Sequence, residues 1–292
     1  MIYILIPLLF SLLPLFLVLG IVLSIRYWRN RDGRRSPLTD KLLHGPGEQL
    51  RRRLEQNGDD LDTTLQFLIL VGPLLISTWA LSRLDWSKVK FGIGESVGIL
   101  VLLITLIWTI HKTVRLMAER RNLRDGLQAE LMTAQLLQPL TSKGCHVLHD
   151  IPADGFNLDH VVIGTHAVYM IETKSRRKPG KGKQSANVDY DGKVLRFPDH
   201  VTSKPLDQAR HEARWLTDFL RGAARETVPV VPVVALPGWF VNPGRDAHRS
   251  DVVVLNPKMH GAFMDKRNGA PLSDSLRTRI VYALMQRYPA LP

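Results

Sequence analysis

The sequence predicts an α/β domain, a mixed central sheet flanked by helices, preceded by three transmembrane helices. Three observations predict it. The long apolar runs all lie before about residue 111, although the mean hydropathy of the whole chain is near zero. From Ala118 onward, helix-period apolar stripes alternate with short runs rich in β-branched residues. Their order is helix, three strands, hairpin, helix, two strands, helix, which suits a mixed sheet with helices on its faces.

Met1 to Ile25 carries no charged residue and is long enough to cross about 30 Å of hydrocarbon as a helix. Arg26, Arg29 and Arg31 follow the run instead of preceding it, so residues 1–25 read as a retained transmembrane helix, not a cleaved signal. Residues 26–62 mix charges with Gly33, Pro37, Gly45, Pro46, Gly47 and Gly58 and read as a cytoplasmic linker with one short helix near Gln49 to Gln56. Thr63 to Ser82 and Phe91 to Ile110 are two further spanning runs, joined by a short link into a hairpin over 63–110. Arg and Lys are concentrated after the first run and again at Lys112, Arg115, Arg120 and Arg121. The positive-inside bias therefore places the N-terminus outside and the domain at 118–292 in the cytoplasm, and the expected location is a bacterial inner membrane.

In the domain, Leu123, Leu127, Leu131, Ala134 and Leu137 mark one face of a helix from Arg120 to Leu140. Cys145 to Ile151 reads as a strand. Leu158 to Ile163 and Ala167 to Thr173 form a hairpin about Gly164, Thr165 and His166. Val188 to Tyr190 and Lys193 to Phe197 flank Asp191-Gly192, a dipeptide that favours a tight two-residue turn. Ser203 and Pro205 open a helix striped by Leu206, Ala209, Ala213, Leu216 and Leu220, ending near Gly222. Val228 to Leu236 and Val252 to Leu255 read as buried strands, and Ser273 to Tyr288 as a closing helix.

The net charge is +12. From Ala118 onward there are 25 Lys and Arg against 18 Asp and Glu, so much of the excess sits on the domain and suits a polyanionic partner. A single Cys145 excludes an intrachain disulfide framework.

Chemistry concentrates on the first hairpin. Paired positions in an antiparallel hairpin have a constant index sum, and a turn centred between Thr165 and His166 sets Asp159 opposite Glu172. Lys174 lies two residues on and projects from the same strand face. Opposed carboxylates repel, so the pair calls for a cation, and Mg²⁺ (or Mn²⁺) suits one or two carboxylates with water and phosphate oxygens. Arg176, Arg177, Lys178, Lys181 and Lys183, broken by Pro179, Gly180 and Gly182, form a basic loop beside the pair that would contact phosphates. Cys145, His146, His149 and Asp150 do not read as a zinc site, because alternate strand residues face opposite ways. Trp215 and Phe219 read as core.

Four marks in order resemble the nuclease-related domain (NERD) family, a branch of the PD-(D/E)XK nuclease superfamily. They are Gly126 to Glu130 on the first helix, Asp159 entering a buried strand, Glu172-Thr-Lys174, and Gln208 opening the next helix. The resemblance covers roughly Ala118 to Pro257. Ala129 and Ser175 depart from residues common in the family, at positions that supply no proposed ligand. The resemblance implies a restriction-endonuclease-like fold and a catalytic set of Glu130, Asp159, Glu172, Lys174 and Gln208. In it Asp159, Glu172 and Glu130 would bind the metal, Lys174 would position the attacking water, and Gln208 would contact Lys174 or the substrate phosphate. The expected function is a membrane-anchored, metal-dependent nuclease whose partners are nucleic acid, first of all DNA, and the lipid bilayer. The alternative is a non-catalytic membrane scaffold that holds nucleic acid or a partner protein.

Overall fold

A computed structural model describes residues 45–60, 63, 93–178, 186–224, 226–266 and 269–288. The chain divides into two compact units. One comprises Met1–Asp40 and Leu54–Arg121, the other Lys41–Arg53 and Asn122–Pro292.

Helix α1 covers residues 48–60 and extends further than the short helix expected near Gln49 to Gln56. Helix α2, Ile93–Leu137, runs unbroken through the stretch where the sequence reading placed a boundary between a spanning helix and the domain's first helix. Residues 111–119 contain neither Gly nor Pro, so nothing there stops a helix. It gives way at Gln138–Lys143 to a tighter turn with Pro139 at its start, closed by Gly144 at φ 81°. Among the described residues, no helix is long and apolar enough to cross a membrane. The expected spans at 1–25 and, Thr63 apart, at 63–82 lie outside the described residues, as do most side chains of 91–110.

The second unit contains a five-stranded sheet in the order β1-β2-β3-β7-β9. Its strands are β1 His146–Pro152, β2 Asn157–Ile163, β3 Val168–Thr173, β7 Val230–Ala235 and β9 Val253–Leu255. The first three are antiparallel and the last three parallel, which makes the sheet mixed. Strand β3 is buried along its whole length, as a strand covered on both faces must be, and this explains its unbroken apolar run. One face packs Val162, Tyr169, Ile171, Val233 and Leu255 against Leu137, Leu140 and Phe263. The other packs Val161, Ile163, Met170 and Val234 against Leu206, Ala209, Ala213, Leu216 and Leu220 of α3, Lys204–Ala224, and against Ile280 and Leu284 of α4, Asp274–Met285. Ser273 caps α4 by accepting from the Leu276 amide at 3.2 Å.

A second sheet corrects the single sheet that the sequence suggested. It has the order β6-β5-β4-β8, with β4 Asn187–Tyr190, β5 Leu195–Phe197, β6 His200–Thr202 and β8 Phe240–Pro243. The expected two-residue turn at Asp191-Gly192 is a four-residue loop, since Tyr190 pairs with Leu195. The Asp191 carboxylate accepts the amides of Lys193 and Val194, both at 2.9 Å, and Gly192 takes φ 94°. Those local bonds hold both amides out of the ladder and widen the turn.

Candidate active site

The β2–β3 ladder pairs His160 with Ile171 and Val161 with Met170. This is the register expected from the hairpin centre, and its continuation brings Asp159 level with Glu172. Beyond the ladder the Thr173 amide donates to Asp159 Oδ2 at 2.7 Å, tying the carboxylate to the end of β3. Lys174 keeps its backbone in the sheet by donating to Ala235 O at 3.0 Å. Its ammonium lies 2.5 Å from Glu172 Oε1, as two residues on one strand face allow.

Helix α3 supplies the next contacts. Lys174 Nζ donates to Gln208 Oε1 at 2.8 Å, and Gln208 Nε2 donates to Glu212 Oε1 at 2.8 Å. Gln208 and Glu212 stand four residues apart and so share a helix face. Glu212 is 2 % exposed and its carboxyl feels the charge of Glu172, which is 3 % exposed. Glu212 Oε2 is buried and meets no hydrogen-bond donor. Glu172, Lys174, Gln208 and Glu212 thus form a chain of contacts whose two carboxyl ends are buried and whose Lys174 and Gln208 middle reaches solvent.

Electrostatics follow from crowding. Burial, then the charges of Glu172 and Glu130, hold the Asp159 carboxyl well above the usual range, against the Thr173 hydrogen bond. Burial, then Asp150 and Glu172, push Glu130 up to about 7. Burial and the Glu172 charge push Glu212 up to about 9. Burial pulls Lys174 down, but the charge and hydrogen bond of Glu172, with Asp159 and Glu212, outweigh it and keep the side chain an ammonium.

Asp150 stands between the pairs His149–His160 and Ile151–Leu158, opposite the position of Asp159. It takes φ 50°, a left-handed conformation that Asp tolerates better than most residues. Its carboxylate accepts from Asn157 Nδ2 at 2.8 Å and from the Gln49 amide in the first turn of α1 at 3.2 Å. Gly47, at φ 73°, lets that turn lie close to α2; a Cβ there would stand 3.4 Å from Glu130 Oε2 and collide with Leu127.

Of the expected site residues, Glu172, Lys174 and Gln208 are joined by direct contacts, Asp159 is tied to the intervening Thr173 amide, and Glu130 reaches them through its charge. Sequence reasoning missed Glu212. The signal was present, four residues after Gln208 and directly before Ala213 in the apolar stripe. In the basic loop, Arg176 pairs with Asp199 at 3.1 Å and lies over Phe197, while Arg177 pairs with Asp125 at 2.5 Å. Lys178 stands 5.9 Å from the centre of the Trp239 ring, and Lys181 and Lys183 lie outside the described residues. Trp215 and Phe219 stack on each other against the core. Among the described residues, no three His, Cys, Asp or Glu side chains form a ready-made metal site.

The family model described as Nuclease-related domain matches residues 125–237, which contain Glu130, Asp159, Glu172, Lys174, Gln208 and Glu212. No curated protein and no solved structure matches the chain.

Proposed function

We propose that this chain is a membrane-anchored nuclease that uses Mg²⁺ (or Mn²⁺) to hydrolyse nucleic-acid phosphodiester bonds, with DNA as the first substrate to test. The observation that carries the reading is the convergence of Asp159, Glu172 and Lys174 where β2 and β3 meet, inside the segment similar to nuclease-related domains. The same acid, acid, lysine pattern supports the PD-(D/E)XK assignment.

The donor set fits a hard cation. Asp159 has one oxygen bound to the Thr173 amide, and the raised Asp159 and Glu130 carboxyls mark a site short of positive charge. Asp159 and Glu172 would hold Mg²⁺ with Glu130 as a third ligand, in keeping with an ion that takes few protein ligands and leaves room for water and phosphate oxygens. When bound, the ion would neutralise phosphate charge and acidify water. Lys174, held as an ammonium, would orient the attacking water or a phosphate oxygen. Gln208 would keep that ammonium in place. Lys178, with Lys181 and Lys183, would grip the backbone of the substrate, Arg176 and Arg177 being engaged with carboxylates.

Membrane anchoring is supported by the uncharged runs at 1–25 and 63–82 and by the row of exposed Val97, Leu100, Ile104, Ile107, Ile110 and Val114 on α2.

The test uses the full chain in detergent micelles with duplex DNA, single-stranded DNA and RNA. Cleavage is expected with Mg²⁺ or Mn²⁺, and none with chelator or in Asp159→Ala and Glu172→Ala. Wild-type protein that binds nucleic acid yet cleaves no substrate would hand the reading to a non-catalytic scaffold.

A further inference from the structure

We infer that Glu212 is a positioning residue of the Lys174 site: its carboxyl decides which end of the Gln208 amide faces the ammonium. The inference rests on the nuclease reading for its catalytic consequence, but not for its geometry.

A primary amide has one accepting and one donating end. An ammonium only donates, so Gln208 serves Lys174 solely when Oε1 points toward it. On an exposed glutamine that choice is not made by packing. Here it is made by Glu212 Oε1, which accepts Gln208 Nε2 at 2.8 Å and leaves Oε1 to accept from Lys174 at the same distance. Glu212 itself has little room to swing away, because it is 2 % exposed on the buried side of α3. A buried anchor thus orients a solvent-reaching amide, and the amide steadies an ammonium that is one third exposed.

With Glu212→Leu the Gln208 amide loses its reference and Lys174 loses one of its two acceptors. A reacting group displaced by about 1 Å costs on the order of 10²-fold in rate. With Glu212→Gln, an acceptor for Gln208 Nε2 remains.

The experiment compares wild type, Glu212→Leu, Glu212→Gln and Gln208→Leu, each as the full chain in micelles, by two readouts. The first is kcat and KM on a short DNA duplex with Mg²⁺. The second is the rate at which acetic anhydride modifies Lys174 in metal-free protein, followed by peptide mass mapping. Expected for Glu212→Leu is a kcat loss on the order of 10²-fold with little change in KM, and faster Lys174 acetylation. Glu212→Gln should recover most of both effects. Gln208→Leu, which alters an exposed side chain and leaves Glu212 in place, should speed acetylation equally, and an unchanged rate there overturns the inference even if Glu212→Leu does not fold. The inference is overturned if Lys174 acetylates at the wild-type rate in Gln208→Leu or in folded Glu212→Leu, or if Glu212→Gln behaves as the leucine variant. If the wild type cleaves nothing, the nuclease reading falls while acetylation still decides the role of Glu212.

Discussion

Four carboxyl groups, those of Glu130, Asp159, Glu172 and Glu212, act on the Lys174 ammonium or on one another, and their crowding has a measurable sign. Glu130 and Glu212 have folded-state values of about 7 and about 9 against an ordinary 4.5, so between those limits the folded chain binds protons that the unfolded chain has released. Stability then falls as pH rises. Metal-free protein should unfold at its highest denaturant concentration below about pH 4.5, so far as these groups decide it, and lose ground toward pH 7 and again toward pH 9. Added Mg²⁺ should raise the midpoint more at pH 8 than at pH 6, because a metal competes with protons for carboxylates. Midpoints that rise with pH in chelator would show that these groups are not crowded. Asp159, Glu172 and Lys174 were legible in the sequence because strand geometry is periodic and a hairpin fixes its own register. Glu212 was overlooked despite its spacing from Gln208, since a glutamate on an amphipathic helix is ordinarily solvated and only the tertiary contact buries it.

At the level of elements, strand β2 and the buried β3 could be read from unbroken apolar runs, and α3 from its stripe. Strands β6 and β8 could not, being three and four residues long with mostly exposed side chains that leave no alternation to detect. The docking of the first turn of α1 was equally hidden, because a glycine- and charge-rich stretch looks like a linker whether or not it packs. Asp150 makes that docking testable. Replacing it with Ala removes the acceptor of the Gln49 amide, worth about 0.5–2 kcal/mol for a helix N-terminus. Ala also suffers at φ 50°, by roughly 1–2 kcal/mol. Asp150→Ala should therefore lower stability by about 1.5–4 kcal/mol in a denaturant titration, whereas Asp150→Asn, which keeps an acceptor and tolerates the backbone, should stay near wild type. Equal stability of the two variants would remove the capping role.

For the whole molecule, composition told most about partners and least about boundaries. Apolar runs and the Arg-rich segments between them predict an external N-terminus, with the segment similar to nuclease-related domains facing the cytoplasm. A reporter joined after Pro292 should behave as cytoplasmic and one inserted near Asp85 as external. The opposite pattern would place the site away from cytoplasmic nucleic acid. The domain boundary was harder to read because residues 41–53 belong with 122–292 while 54–121 do not, an order that no local composition shift announces. The parallel pairing of β3 with β7 adds a consequence in time. Glu172 and Lys174 leave the ribosome well before Gln208 and Glu212, and β3 gains its β7 neighbour only when Ala235 has been made. At 5–20 residues per second, the roughly sixty residues from Lys174 to Ala235 take on the order of 3–12 s to synthesise. Until Ala235 has been made, a nascent chain carries Asp159, Glu172 and Lys174 without the full β7 strand beside β3, so the cluster cannot take its final surroundings before synthesis has passed the whole segment.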